Sequence, residues 1–125
     1  MGRPFIAEMV FSHPFELNLI RAAHAATYTV VLHALLVPQD LAVERVRHRV
    51  QAGGHDVPEA KIRKRYGRLW PLVARAIGHC DGATVYDNSR LAGPRIVAQM
   101  SAGDILGSRS WPGWAPEPLR SRWPN

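Results

Sequence analysis

The ten residues Tyr28–Val37, YTVVLHALLV, restrict the fold more than any other stretch. They are β-branched or apolar almost throughout, His33 is the only interruption, and Pro38 stops the run. A run of that length and composition reads as a strand covered on both faces, as in a parallel sheet. Helical patterns surround it. Leu17, Ile20 and His24 share one helical face after Ser12, a candidate N-cap with Pro14 in the first turn. Beyond Pro38, Asp40 can cap a helix that sets Val43, Val46 and Val50 on one side and Glu44, Arg45, His48 and Arg49 largely on the other. Gly53 and Gly54 end it.

Asp56-Val57-Pro58-Glu59 has the form of an N-cap with a capping-box glutamate. The helix that follows spaces Ile62, Tyr66, Leu69 and Val73 for burial, and its other stripe holds Lys61, Lys64, Arg65 and Arg68. Pro71 is expected to kink or split it. Shorter strands are expected at Phe5–Val10, Ala83–Tyr86 and Arg95–Met100. Strands alternating with helices predict an α/β layered sheet, whose ligands sit beyond the carboxyl ends of the strands. Glu8 and Asp87 fall near such ends. From Gly103 the chain turns rich in Gly, Pro, Ser and Trp, and an irregular tail over 103–125 is expected, docked by Trp111, Trp114 and Trp123.

Composition narrows the function classes. Of 125 residues 46% are hydrophobic, enough for a core. No apolar run approaches the roughly 20 residues that span a bilayer. One cysteine, Cys80, permits no internal disulfide. Together with the lack of a signal-peptide pattern in MGRPFIAEMV, this points to the cytoplasm. The net charge of +6, carried mostly by arginine, suits a phosphorylated ligand, nucleic acid or an anionic surface. The histidines and Cys80 show no metal-ligand spacing, so no metal site is expected.

Four segments agree in order with one family. Arg47 to Tyr66, RHRVQAGGHDVPEAKIRKRY, resembles the lid region of zeta-toxin-family P-loop kinases: an arginine-bearing helix, GGHDVP, then a helix with I-R-x-R-Y. FIAE near the start, VYDNS at 85–89 and SRSWPGWAPEPL at 108–119 fit the same family. The resemblance covers about Phe5 to Leu119. It implies a partial kinase domain over 1–102, with its lid at about 45–70. The implied fold is an incomplete P-loop-kinase-type parallel sheet flanked by helices. The implied activity is transfer of the γ-phosphate of ATP, with Mg2+, to a small-molecule hydroxyl such as that of UDP-N-acetylglucosamine. By the same resemblance Glu8, Arg49, Arg63 and Arg65 are catalytic candidates, and His55, Asp87 and Asn88 nucleotide-binding candidates. An antitoxin is an implied partner.

The departures are specific. The sequence contains no G-x-x-x-x-G-K-S/T loop. That loop cradles phosphates with its N–H groups and lysine. The family's catalytic base and its central first strand are missing with it, so the chain alone is expected to be inactive and to show two free strand edges. An upstream P-loop-bearing polypeptide would be required, and Met1 reads as an internal or truncated start. Met9 replaces a usual threonine, and Thr27 stands where a turn glycine is common. The reading from a different class is a non-enzymatic basic module whose arginine-rich helix binds nucleic acid or another polyanion.

Overall fold

The computed structural model describes residues 3–4, 6–7, 15–54 and 56–125. Of the strand expected at Phe5–Val10 only residues 6 and 7 are described, with no strand pairing of their own, and the Ser12 cap, Glu8 and His55 lie outside the described residues. The elements run α1 (Phe15–Ala25), β1 (Val31–Leu36), α2 (Gln39–Gln51), α3 (Glu59–His79), β2 (Gly82–Asp87), β3 (Arg95–Ser101), β4 (Asp104–Ile105) and α4 (Glu117–Arg122). The strands form one open sheet in the order β1-β2-β3-β4.

The sheet is mixed, not parallel. β1 and β2 pair in parallel from Val31↔Gly82 to Leu36↔Asp87. The two helices α2 and α3 between them give room for that crossover. β2 and β3 pair antiparallel. Only residues 88–94 connect them, fewer than the dozen or more that a parallel return requires. A register shift at Val85/Tyr86 interrupts this pair.

β1 is not covered on both faces. Ala34 and Leu36 are buried, while Val31 and Leu35 are 56% and 51% exposed. The cause is that the helices contribute to a core on one side of the sheet only. There Leu17 and Ile20 of α1 and Val73, Ala76 and Ile77 of α3 meet Leu36, Val85, Ala98 and Met100 of the strands. Leu36, Ile77 and Leu119 are fully buried. Each contributes about 1.5–3 kcal/mol of apolar burial.

Helix boundaries correct several expectations. Pro38 and Pro58, not Asp40 and Asp56, occupy the N-cap positions of α2 and α3, with no side-chain cap bond at either. Asp40 and Glu59 lie in the first turns, where carboxylates favour the helix dipole. α3 runs unbroken through Pro71. Pro71 has no N–H for the carbonyl of Gly67, but both residues are solvent-exposed, so water can satisfy that carbonyl.

The tail carries structure of its own. β4 pairs with β3, and α4 packs on α3. Trp111, Ala115, Leu119 and Trp123 belong to the same core as the strands. Trp123 Nε1 donates to the Gly103 carbonyl at 2.8 Å, and Trp111 Nε1 to the Trp123 carbonyl at 2.6 Å. Arg122 donates to the Ala74 carbonyl at 2.9 Å. It lies where Gly78 lacks a side chain, since a Cβ there would fall 2.6 Å from its guanidinium.

Candidate functional site

The carboxyl ends of β1 and β2 lie side by side, as the Leu36↔Asp87 pairing requires. α2 leaves β1 after Val37-Pro38, and α3 returns over the same end. Tyr66 of α3 donates its hydroxyl to the Val37 carbonyl at 2.7 Å. Burial raises the Tyr66 phenol above its ordinary pKa. Its ring meets Trp70 edge-on, with centroids 5.8 Å apart. Arg45 of α2 donates to the backbone carbonyl of Asn88 at 2.8 Å. Asn88 in turn donates its N–H to the Leu36 carbonyl at 2.8 Å. One strand end therefore gathers the α2–α3 hairpin and the Asp87-Asn88 turn.

The connection between α2 and α3 depends on both glycines. Gly53 has φ 100°, the left-handed region. Gly53 and Gly54 donate to the carbonyls of Val50 (3.0 Å) and Arg49 (2.8 Å), the pattern of a Schellman helix end. A Cβ on Gly54 would lie 2.8 Å from the Arg49 carbonyl oxygen, so a side chain is excluded there too.

Arg63 joins the two helices. It reaches Asp40 at 2.9 Å, Gln39 at 3.0 Å and Glu59 at 3.2 Å. Arg47 of α2 also pairs with Glu59, and with Glu44 at 3.1 Å. These contacts tie Arg63 into the hairpin rather than leaving it for a ligand. Among the described residues the Arg49 side chain has only a 3.5 Å contact to the Arg45 carbonyl, on an exposed surface. Arg65 is half-buried and makes no hydrogen bond or ion pair among the described residues.

Asp87 is 3% exposed. One carboxylate oxygen accepts from the Ser89 N–H at 2.9 Å and the Ser89 hydroxyl at 2.6 Å; the other lies 3.5 Å from Arg95. Burial alone would raise its pKa. The Ser89 bonds and the Arg95 charge outweigh that and hold it below the ordinary carboxylate value. This is the turn that D-N-S makes after a strand, with the carboxylate capping the residue two on. The amide side chain of Asn88 is half-buried and has no partner among the described residues.

Of the candidates, the structure brings Asp87 and Asn88 to the base of the hairpin that carries Arg49, Arg63 and Arg65. By periodicity Arg45 falls on a polar face and Tyr66 in the core, and nothing in the sequence pattern marks Ser89 or Arg95 as part of the site beyond the spacing of Ser89 from Asp87. A cavity of about 150 Å³ lies at the other end of β1, among Leu19, Ile20, Tyr28, Val30 and Cys80. It is lined mainly by apolar groups and does not reach Asp87. A shallower hollow of about 180 Å³ lies against the hairpin, lined by Val46, Arg47, Val50, Gln51, Asp56 and Val57. Among the described residues no group of three or more His, Cys, Asp or Glu could hold a metal ion. Among the same residues no helix is long and apolar enough to cross a membrane.

Comparison of the chain with protein-family models, with curated proteins and with solved structures finds no match.

Proposed function

We propose that this chain is the lid and acceptor-side portion of a zeta-toxin-like kinase, acting with a phosphate-binding loop that its own sequence does not contain. The observation that carries the reading is the α2–α3 hairpin, hinged at Gly53-Gly54 and rooted at the carboxyl ends of a parallel strand pair. Ligands of α/β sheets bind at that end. The RHRVQAGGHDVPEAKIRKRY resemblance supplies the reaction class.

In this reading each residue has a distinct task. Arg49 and Arg65, the two candidate arginines without ion-pair partners among the described residues, neutralise charge on a transferring phosphoryl group. Arg63 is a positioning residue that keeps α3 against α2 through Asp40 and Glu59. Asn88 offers its side-chain amide to a nucleotide base, and Asp87 fixes the turn that presents it. ATP, when bound, supplies the γ-phosphoryl group. Arg49 and Arg65 would meet its phosphates and the Asn88 amide its base, whereas Asp87 is already engaged by Ser89 and Arg95 and is not a free magnesium ligand. The acceptor we assign is a small-molecule hydroxyl of the UDP-N-acetylglucosamine class.

The test fuses or co-expresses this chain with the P-loop-bearing first half of a zeta-toxin-family kinase. A folded fusion is expected to transfer phosphate from ATP to UDP-N-acetylglucosamine, and Arg65→Ala to lower the rate by about 10²–10³. The isolated chain should show no transfer. Well-folded fusions without transfer to that or any related sugar-nucleotide hydroxyl overturn the proposal.

A further inference from the structure

α3 buries one face in the core and turns to solvent a face that carries no acid after Glu59. The exposed positions there include Lys61, Lys64, Gly67, Arg68, Arg75 and His79. Lys61, Lys64, Arg68 and Arg75 fall at i, i+3, i+7 and i+14, one stripe about 21 Å long, and His79 extends it to about 27 Å. None of the four cations makes an ion pair or hydrogen bond among the described residues. Exposed helix faces ordinarily interleave both signs in i,i+4 pairs. Here Lys64 and Arg68 are an i,i+4 pair of like charge, and Lys61 and Lys64 an i,i+3 pair. The acids of the hairpin's two helices, Asp40, Glu44 and Glu59, pair instead with Arg47 and Arg63.

We propose that the outer face of α3 is a binding track for the phosphodiester backbone of a nucleic acid, through Lys61, Lys64, Arg68 and Arg75. Charge complementarity selects a polyanion, and the linear spacing selects one with regularly repeated charge. Gly67 sits between Lys64 and Arg68 with nothing within 4 Å of where a Cβ would be, so a backbone can approach closely there. An anionic membrane fits less well. Membrane-surface helices insert an apolar face, whereas the apolar face of α3 is in the core. Among the described residues no large exposed apolar side chain lies on α2 or α3. Arg65 borders this surface, four residues on from Lys61 and three before Arg68; the track itself uses neither Arg65 nor Arg49 nor Asn88, and its test needs no ATP or phosphoryl acceptor, so its failure is distinguishable from failure of the kinase reading.

The test is fluorescence anisotropy of the intact chain with labelled single-stranded and duplex oligonucleotides over a range of NaCl concentrations. Four contacts predict a slope of log K against log salt of about −3 on single strands, at roughly −0.7 per phosphate. Lys64→Glu/Arg68→Glu is expected to weaken binding at least tenfold and to flatten the slope by about 1.4. Arg21→Glu/Arg90→Glu, the same charge change on α1 and the β2–β3 loop, should weaken it less than threefold. Circular dichroism checks that both variants fold. Preference for single strand or duplex tells which form of the backbone fits the track. Equal losses in the two variants, no binding at 50 mM NaCl, or stripe-dependent binding to phosphatidylserine vesicles alone would each overturn the proposal.

Discussion

Thr27 and Gly53 occupy the same position in the same helix-ending motif. After α1, Thr27 and Tyr28 donate to the carbonyls of His24 and Ala23, each at 2.9 Å; after α2, Gly53 and Gly54 donate to Val50 and Arg49. Both first residues are left-handed, with φ 66° for Thr27 and 100° for Gly53. Glycine takes that conformation freely, whereas a β-branched residue is strained there. Thr27→Gly is therefore expected to stabilise the chain by about 1 kcal/mol. Urea unfolding with an unchanged slope and a higher midpoint would show it. A lower midpoint would mean that the Thr27 hydroxyl bond to the Ala26 carbonyl outweighs the strain.

The α2–α3 clamp should respond to Arg63. Arg63→Ala removes contacts to Asp40, Glu59 and Gln39 together. The ion pairs are partly exposed, so the effect is modest and screened by salt. A melting temperature lower by a few degrees is expected at 50 mM NaCl, with a smaller difference at 1 M. A gap that is unchanged by salt would place the effect in packing instead.

Two carboxylates set the acid limb of stability. Val30 N–H at 2.7 Å and then His24 at 2.9 Å hold Asp81 below its ordinary pKa; Asp87 is held low by Ser89 and Arg95 against its burial. Both folded values lie below the unfolded value of about 3.9. The folded state thus binds fewer protons, and this stability is full above about pH 5 and lost as pH falls through the folded values. Asp81→Asn/Asp87→Asn should be less stable at pH 7 and should flatten the loss between about pH 5 and 2. Parallel pH curves for the two proteins would refute this assignment. Asp87→Asn alone is expected to cost about 1–3 kcal/mol at pH 7.

Cys80 should be inert while the chain is folded. It is 2% exposed, and burial, with the Asp81 charge adding to it, pushes its thiol up to about 11. The thiolate is the reactive form. At pH 8 labelling by a disulfide reagent is expected to be at least a hundredfold slower in buffer than in guanidinium. Rapid native labelling would show that the α1–β1 cavity opens to Cys80.

The tail residue Trp123 should behave as core. It is 6% exposed and bonds Gly103. Trp123→Ala is expected to cost about 3–5 kcal/mol. Trp123→Phe keeps most of the packing and loses the indole bond, at about 1 kcal/mol. Chemical denaturation of both variants gives the comparison. Equal small effects would return the tail to a surface role.

Local signals located β1, α2, α3, β2 and β3 to within a few residues, because apolar period, proline and glycine act nearby in sequence. Longer-range facts were not legible. Val31 and Leu35 look as buried as Leu32 and Leu36 by composition, and only the one-sided packing of the helices separates them. Asp40 reads as a cap because nothing local shows that Arg63 will claim it. The six residues of α4 are too few for a period to show, and two prolines obscure them. At the strand end, Asp87 and Asn88 stood out as a turn, while the Arg45 and Arg95 contacts depend on the folded chain bringing them there. Glu8 and His55 lie outside the described residues.

The pairing of Val31 with Gly82 also bears on how fast the molecule forms. Some fifty residues must be threaded into place before that first parallel contact is made, and distant contacts of this kind slow folding. The α2–α3 hairpin closes part of that loop locally, since its Arg63–Asp40 clamp joins residues only 23 apart and shortens what remains to be closed. Contacts such as Arg63–Asp40 would then count in the rate of folding as well as in its equilibrium, so a variant that melts only slightly lower could still refold markedly more slowly.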